Sequence, residues 1–201
     1  MPSRAYHHGD LRRAIVQATI ELLETTSASD LSLREVARRA GVTSGAPYHH
    51  FKTKADLLVD VACVGFEALG VELAAVDASK ASPIDRLRKR IEVYLRFALA
   101  HGGHYRVMFS PELVQSTNLA SYEAVARAGF DGLVAAVATA RPDLDGRAAR
   151  SLARTVWAAA HGFVLLALDG VVQRLEHEHS SPDPIRATAK HIAGMVMSGA
   201  P

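Results

Sequence analysis

Apolar residues recur every three or four positions along almost the whole chain, whereas runs that alternate apolar and polar residues are scarce. The first pattern is typical of amphipathic α-helices, and the second would indicate half-buried strands. Because each amphipathic helix must bury its apolar face, we expect the helices to pack against one another. The sequence therefore predicts an all-α protein.

Capping residues and helix breakers mark the helix boundaries. Asp10 is expected to cap the first helix, and Ser32, with Glu35 three residues later, forms a capping box for the second, which ends at Gly41. The other predicted helices are a short one between Thr43 and Phe51, a long one from Thr53 to 77, and helices at 83–101, 105–115, 119–139, 146–173 and 184–197. About nine helices are expected in all.

A chain of 201 residues can form one large core or a small domain joined to a larger one. The segment 78–82 is the best candidate for a boundary, because it separates a long helix from a strong helix start. We therefore expect an N-terminal domain at 1–55, a connecting helix at 56–77 and a C-terminal helical domain at 78–201.

Three features favour a soluble, cytoplasmic protein that does not enter a membrane. The single cysteine, Cys63, fits a reducing compartment and is expected to be a buried apolar side chain in preference to a redox sensor. Residues 1–10 lack the apolar segment of a secretory signal. The longest apolar run, 156–168, is shorter than the ~20 residues that span a bilayer.

The net charge is +2, but it is unevenly distributed. Residues 1–54 carry eight Lys and Arg against five Asp and Glu, and the rest of the chain carries fifteen against sixteen. A mildly basic first segment suits a domain that meets a polyanion, although a solvated surface of mixed charge has the same composition.

The stretch from Leu33 to Phe51 meets the requirements of a helix-turn-helix. Ala37 is small enough for a second helix to cross closely above it, and Gly41 can adopt the left-handed conformation that the turn requires. Thr43 or Ser44 is expected to cap the next helix, whose early residues would face base edges in a major groove. An ordinary helical hairpin would not need this order of residues.

The same stretch, extended to residues 6–65, resembles the TetR family of transcriptional regulators. The matching elements are Gly41-Val42-Thr43, Tyr48-His49-His50-Phe51, and Lys54 followed by Leu57-Leu58. The opening sequence from Tyr6 to Arg12 also resembles the lead-in of many members. The resemblance implies an N-terminal three-helix DNA-binding domain and a C-terminal helical domain that binds an effector and dimerises.

By this resemblance, Tyr48, His50 and Lys54 would contact phosphates, while Thr43 to Ala46 and His49 would face the groove. A phenol, an imidazole and an ammonium group can all donate to phosphate oxygens. Each histidine taken alone could equally be a solvated side chain. The expected DNA-binding residues are Arg34, Thr43, Ser44, Gly45, Ala46, Pro47, Tyr48, His49, His50 and Lys54.

Pro47 departs from the family pattern, in which leucine or another apolar helix former is common at this position. Proline lacks an N–H and restricts the residue before it, so it is tolerated only in the first turn of a helix. We therefore predict a short recognition helix whose regular hydrogen bonding begins after Pro47. With Ser44, Gly45 and Ala46 on its face, specificity would depend on methyl contacts, phosphate register and DNA shape.

The sequence of residues 157–163, Trp-Ala-Ala-Ala-His-Gly-Phe, resembles the Trp-x-x-x-His-Gly segment of one C-terminal subgroup of the family. In such regulators the last two long helices pair with those of a second subunit, so the resemblance implies a homodimer. A symmetric dimer would place two recognition helices one turn of double-stranded DNA apart, which matches a palindromic operator.

Aromatic and apolar residues of the second half of the chain could line a pocket for a small-molecule effector, or could be ordinary core. They are Phe97, Tyr105, Met108, Phe109, Tyr122, Phe130, Trp157 and His161. No cofactor or metal is expected, because His101 with His104, and the run at 176–179, lack a defined ligand set. That run is expected to be a solvated helix end.

Other classes of function remain open. No Gly-x-Ser-x-Gly, His-Glu-x-x-His, phosphate-loop or dinucleotide motif occurs, so an enzyme is not expected. A helix-turn-helix regulator controlled by a partner protein is a second alternative. Most members of the family are repressors, so the resemblance implies a repressor that a small ligand releases from DNA. Activation of transcription remains an alternative.

Overall fold

The computed structural model describes residues 8–175 and 183–198. Within those ranges it contains nine α-helices, two short 3-10 segments and no strand, which confirms the all-α prediction. The helices are α1 (His8–Leu23), α2 (Leu33–Arg39), α3 (Lys54–Asp77), α4 (Pro83–Ala100), α5 (Gly102–Met108), α6 (Leu119–Ala140), α7 (Gly146–Leu168), α8 (Val171–Leu175) and α9 (Pro184–Ser198). The 3-10 segments are Ala46–His49, called the recognition segment below, and Pro111–Gln115, called the 111–115 segment.

The chain divides into two compact units. Of the described residues, the N-terminal unit comprises 8–66 and 101–125, and the C-terminal unit comprises 67–100, 126–175 and 183–198. Residues 101–125 therefore share a core with the helix-turn-helix, although they follow the boundary at 78–82 that the sequence favours. The assignment of functions to 1–55 and 78–201 stays a prediction.

The core of the N-terminal unit is built from the apolar faces of α1, α2 and α3. Ile15, Val36, Leu57 and Leu58 are completely buried, and Phe51 anchors the end of the recognition segment in the same cluster. Burial of a large apolar side chain stabilises a fold by roughly 1.5–3 kcal/mol, so this cluster fixes how the recognition segment is presented.

In the C-terminal unit, α4, α7 and α9 pack on one another. Leu87 and Leu95 of α4, Ala153 and Ala160 of α7, and Ile192 of α9 are among its buried residues. The small side chains of α7 allow the neighbouring helices to approach closely.

The first helix begins earlier than predicted. α1 starts at His8, so Asp10 lies inside the helix instead of at its cap position. An acidic residue is favourable both as a cap and within the first turn, so the sequence signal does not separate these two positions.

The predicted helices at 83–101 and 105–115 leave Gly102 and Gly103 between them, and the start at residue 105 was wrong. Gly102 and Gly103 form the first turn of α5. A Cβ at Gly103 would lie only 1.8 Å from the carbonyl oxygen of Leu23. A glycine is therefore required at this position because α5 approaches the end of α1 so closely.

Two other predicted helices are each divided. The one at 105–115 ends at Met108, and Pro111 opens a separate 3-10 segment, since a proline within a helix removes a hydrogen bond and clashes with the preceding turn. The one at 146–173 is divided at Gly170, whose φ of +68° is a left-handed conformation that ends α7.

Candidate nucleic-acid interface and ligand site

The first helix of the helix-turn-helix begins and ends as the sequence predicts. The hydroxyl of Ser32 accepts a hydrogen bond from the N–H of Glu35 at 3.2 Å. At the other end, Gly41 has a φ of +69°, and the N–H of Val42 donates to the carbonyl of Ala37 at 3.0 Å. These bonds satisfy the backbone at both ends of α2 and define the tight turn.

The recognition segment is a single four-residue 3-10 turn, which confirms the prediction of a short helix. Pro47 lies in its first turn, where a missing N–H removes no helical hydrogen bond. The N–H groups of His50 and Phe51 then donate to the carbonyl of Pro47 at 3.0 and 2.9 Å.

The predicted cap of this segment was wrong. The cap position is Gly45, which has no side chain to accept a hydrogen bond, instead of Thr43 or Ser44. The N–H of Ala46 donates instead to the carbonyl of Thr43 at 2.9 Å. Because proline prefers the first positions of a helix, Pro47 fixes the start at Ala46.

The residues predicted to bind DNA divide by exposure. Ala46 and Pro47 are buried and His50 is half-buried beside Phe51, so the side chains of this segment that can reach another molecule belong mainly to Tyr48 and His49. Tyr48 is the most prominent, with 56% of its surface exposed. The exposed members of the predicted set are Arg34, Thr43, Ser44, Gly45, Tyr48 and His49.

Lys54 makes its contacts within the protein. Its Nζ donates to the carbonyl oxygens of Ala28 and Ser29 at 2.9 and 3.1 Å and lies 3.3 Å from a carboxylate oxygen of Glu112. An ammonium group has three donors, and these three acceptors can use all of them. To reach a phosphate, Lys54 would have to leave one of these partners.

Three ion pairs neutralise much of the basic charge of the N-terminal unit. They join Arg12 to Asp60, Arg38 to Glu35 and Arg39 to Glu21.

Some other cations of this unit keep their charge available, and two of them lie close to the helix-turn-helix residues in sequence. Arg34 and Lys52 are exposed and form no ion pair in the part of the chain that the structure describes. Lys52 was missed by sequence reasoning, although its place directly after Phe51 puts a charge next to the recognition segment.

Asp56 holds the start of α3 to a distant part of the chain. Its Oδ1 accepts from the Ser116 hydroxyl and the Thr117 N–H, both at 2.8 Å, while its Oδ2 accepts from the N–H of Thr53 at 3.0 Å. Burial by itself raises the pKa of Asp56, but these hydrogen bonds outweigh it and lower the pKa to about 2. The carboxylate is therefore ionised at neutral pH and ties residues 116–117 to the helix that follows the recognition segment.

One group of the predicted ligand-binding residues lies in the N-terminal unit. The ring of Tyr105 packs on Phe109 with centroids 5.0 Å apart, and Phe66 contacts both Phe109 and Tyr122 at 5.6 and 5.9 Å. Tyr105 and Met108 are completely buried. Phe109 and Tyr122 are half-buried, and that this group lines a ligand pocket stays a prediction.

His104 has a partner in the same unit. Its Nε2 lies 2.6 Å from the carbonyl oxygen of Val61, so the ring donates from this nitrogen. Burial lowers the pKa of His104, which keeps the imidazole neutral at pH 7.

A second group of the predicted ligand-binding residues lies in the C-terminal unit. Trp157 contacts Phe130 and His161, with ring centroids 6.2 and 5.7 Å apart. Nδ1 of His161 lies 3.3 Å from the hydroxyl of Tyr94, and burial lowers the pKa of His161. Tyr94 was not among the predicted ligand-binding residues, because no motif marks it and only this contact reveals it. Phe97, another predicted ligand-binding residue of this unit, is buried. That these residues bind an effector stays a prediction.

In the described ranges, no three His, Cys, Asp or Glu side chains group closely enough to hold a metal ion. The run at 176–179 considered in the sequence lies outside the described residues. In the same ranges, α7 is the one helix with the length and apolar composition of a membrane span, and 28% of its most apolar stretch is buried within the chain.

Two family models match this sequence. The model "Bacterial regulatory proteins, tetR family" covers residues 15–61, and the model "Tetracyclin repressor-like, C-terminal domain" covers residues 87–190. The second match alone includes more than half of the chain. The protein therefore belongs to the TetR family of transcriptional regulators. The likeness of residues 157–163 to the Trp-His-Gly subgroup stays a prediction.

Similar proteins include two that are named as HTH-type transcriptional regulators. The HTH-type transcriptional regulator SrpR of Pseudomonas putida is 41% identical over 49 residues, which are 24% of this chain. That match spans 23% of SrpR, about a quarter of its length. The uncharacterised HTH-type transcriptional regulator Rv0681 of Mycobacterium tuberculosis is 26% identical over 184 residues, 92% of this chain and 81% of that protein.

Solved structures share the fold over nearly the whole chain. A protein of unknown function from Rhodococcus sp. RHA1 superposes with a TM-score of 0.75 and 27% identity, covering 96% of this chain and 97% of that one. The regulator FadR from Bacillus subtilis, solved in complex with stearoyl-CoA, has a TM-score of 0.66 and 16% identity, covering 94% and 99%. At that identity the second likeness concerns the fold alone.

Proposed function

We propose that this protein is a homodimeric repressor that binds a palindromic DNA operator and leaves it when a small molecule binds. The observation that carries the DNA-binding part is the recognition segment itself. Buried Ala46 and Pro47 anchor it, while exposed Tyr48 and His49 project from it, with Arg34 and Lys52 as available cations nearby in sequence. These groups suit phosphate contacts that fix the register of a short segment on DNA.

The homodimer is proposed from an apolar face that the protomer leaves uncovered. On α7 the buried positions recur every three or four residues, and Leu166, on another side of the helix, is half exposed. On α9, Met195 and Met197 are each 52% exposed. We infer that α7 and α9 of a second copy cover this face, because apolar surface of this kind is favourably removed from water in a dimer.

Two glycines allow a direct test of the dimer. A Cβ added at Gly162 of α7 or at Gly194 of α9 would meet nothing within 4 Å in the protomer. Gly162→Leu and Gly194→Leu should therefore leave the protomer folded and obstruct close helix packing between copies. The matched control is Gly70→Leu, since Gly70 also lies within a helix with open space around its Cβ position.

Sedimentation equilibrium at micromolar concentration measures the outcome. We expect a dimer for the wild type and the Gly70→Leu variant, and monomers for the other two variants. A wild-type monomer, or a dimer that both α7 and α9 variants preserve, would contradict the proposed interface.

Two observations support release by a small molecule. One is the aromatic group of Phe130, Trp157 and His161 in the C-terminal unit, and the other is the fold that the chain shares with a ligand-bound regulator. FadR, which shares this fold, was solved with stearoyl-CoA. A ligand that prefers a dimer state whose recognition segments no longer match the operator spacing would release DNA through differential affinity. We also propose that the protein acts in the cytoplasm and has no enzymatic activity, in line with the transcriptional regulators among its relatives.

The proposal is tested by selecting sequences that the full chain binds from random double-stranded DNA at moderate salt, with Tyr48→Ala as a variant. We expect one enriched palindrome for the wild type and at least a tenfold weaker affinity for the variant. The selection is then repeated with added metabolites to find a releasing ligand. The absence of an enriched palindrome would overturn the central claim.

A further inference from the structure

The side chain of Arg12 joins α1 to α3 through both oxygens of one carboxylate. Its Nε donates to Oδ2 of Asp60 at 2.6 Å, and its Nη2 donates to Oδ1 at 2.8 Å. Two parallel bonds of this kind fix the plane of a guanidinium as well as its position. The ion pair therefore sets where the flat face of the Arg12 side chain lies.

That face lies over the ring of Phe51, two residues after the recognition segment. The guanidinium carbon of Arg12 is 5.4 Å from the centroid of the Phe51 ring. A cation within about 6 Å of an aromatic centroid is attracted to the face of the ring. Because the side chain of Arg12 is 49% exposed and Phe51 only 1%, the guanidinium lies between the ring and solvent. Arg12 therefore shields a ring whose other contacts are made in the apolar core.

Phe51 is also bonded to the recognition segment through its backbone. Its N–H donates to the carbonyl oxygen of Pro47 at 2.9 Å, and the N–H of His50 donates to the same oxygen at 3.0 Å. Tyr48 and His49, the exposed groups of the segment, lie within this turn. A change in the place of the Phe51 ring would therefore change the direction in which these two side chains point.

A second ion pair of the same unit shows what is particular about Arg12. Arg39 lies 2.7 Å from a carboxylate oxygen of Glu21, and its side chain is also 49% exposed. Within the described ranges, no aromatic ring lies against the guanidinium of Arg39. The partners differ as well, because the side chain of Asp60 is 17% exposed and that of Glu21 is 42% exposed. Exposed ion pairs contribute little, so the ring and the more buried partner distinguish Arg12.

We propose that Arg12 is a positioning residue for DNA binding, although it lies outside the helix-turn-helix. Asp60 holds its guanidinium over Phe51, and Phe51 in turn fixes the recognition segment. Arg12 thus acts on operator affinity through geometry and makes no phosphate contact of its own. This role rests on the proposed operator binding and names a residue on which that binding depends.

Substitutions at the two ends of the ion pair separate geometry from charge. Arg12→Gln lowers the net charge and Asp60→Asn raises it, so a role through charge alone would weaken DNA binding in the first variant and strengthen it in the second. We expect both variants to bind the selected palindrome about tenfold more weakly, because each releases Phe51 from the fixed cation. Arg12→Lys keeps the charge without the planar fork and should bind as weakly as Arg12→Gln.

Affinity is measured with the full-length protein at several salt concentrations, and urea denaturation shows that each variant is folded under the binding conditions. The slope of log affinity against log salt should stay that of the wild type, since no phosphate contact is lost. The matched controls are Arg39→Gln and Glu21→Gln, which make the same two changes of charge in the other ion pair. Each should change the affinity by no more than about twofold.

Hydrogen exchange tests the same role without DNA. In Arg12→Gln and Asp60→Asn, the N–H groups of His50 and Phe51 should exchange about tenfold faster than in the wild type, because the turn opens more often. The N–H of Val42, which donates to Ala37 in the turn of the helix-turn-helix, should exchange at the wild-type rate.

The role is wrong if Asp60→Asn binds DNA more tightly than the wild type, or if Arg12→Gln binds as the wild type does. A slope reduced by about 1.8 for Arg12→Gln would assign a phosphate contact to Arg12 in each subunit and would also overturn it. A wild type that selects no palindrome, while both variants exchange faster at His50 and Phe51, would contradict the proposed function and leave the positioning of the segment standing.

Discussion

The carboxylate of Asp56 accepts a hydrogen bond from the N–H of Thr117, 61 residues further along the chain, at 2.8 Å. The Ser116 hydroxyl donates to the same oxygen, and Glu112 contacts Lys54. The first turn of α3 is therefore held by the 111–115 segment and the residues after it. Because α3 follows the recognition segment directly, these contacts help to fix where that segment lies.

Asp56→Asn should destabilise the protein by about 2 kcal/mol at pH 7, the free energy that corresponds to lowering a carboxyl pKa from 3.8 to about 2. A carboxyl group with a depressed pKa stabilises the fold above its unfolded pKa and loses this contribution as pH falls through its folded pKa. The difference between wild type and variant should thus shrink between about pH 4 and pH 2.

Urea denaturation across this pH range measures the difference. Asp85→Asn is the matched control, because the Asp85 carboxylate also accepts from a serine hydroxyl at a helix start but has an exposed side chain. We expect it to leave the stability nearly unchanged, because solvent screens an exposed carboxylate. An equal loss of stability in the two variants would show that the buried hydrogen bonds of Asp56 stabilise the fold no more than the exposed ones of Asp85.

Gly103→Ala should be among the most damaging single substitutions in the N-terminal unit. The added methyl carbon would lie 1.8 Å from the carbonyl oxygen of Leu23, so α5 or the end of α1 must move. We expect a loss of about 3 kcal/mol or more in the free energy of unfolding.

The comparison is Gly70→Ala, at a position within α3 that has open space around its Cβ. Alanine there should stabilise the helix by up to about 1 kcal/mol. Thermal denaturation of both variants decides the matter, and a mild effect at Gly103 would mean that the approach of α5 to α1 is looser than described.

Lys52 is expected to supply a phosphate contact that Lys54 does not. Lys52→Ala should reduce the slope of log affinity against log salt by about 0.9 per lost contact, hence about 1.8 for a dimer. Lys54→Ala should leave that slope unchanged and lower stability by about 1–2 kcal/mol, because two carbonyl oxygens lose a charged donor. Operator titrations at several salt concentrations and urea denaturation separate the two effects. A reduced slope for the Lys54 variant with unchanged stability would assign the phosphate contact to Lys54.

Pro47→Leu should change operator affinity or preference. Leucine restores an N–H and removes the restriction on Ala46, so the segment could begin its helix earlier and turn Tyr48 and His49 in a new direction. Repeating the DNA selection with this variant measures the change. An identical preference and affinity would mean that the proline has no special role in recognition.

The helix-turn-helix could be predicted from sequence because its signals are local. The cap at Ser32, the left-handed Gly41 and the short segment after Pro47 each depend on residues within one or two turns of one another. Local signals gave the wrong helix start at Gly102-Gly103, where the contact with the end of α1 decides the structure. They also gave the wrong cap at Thr43 or Ser44, where the nearby Pro47 decides the helix start.

The sequence by itself determined the all-α class, most helix positions and the family, since these depend on periodicity and on residues close together in the chain. Only the tertiary structure decided which cations of the N-terminal unit are already paired and that Asp56 is bound to Ser116 and Thr117. It also decided that Gly103 lies against the carbonyl oxygen of Leu23. Each of these relationships joins residues far apart in sequence, and their distances follow from how the helices pack, which no short pattern of residues encodes.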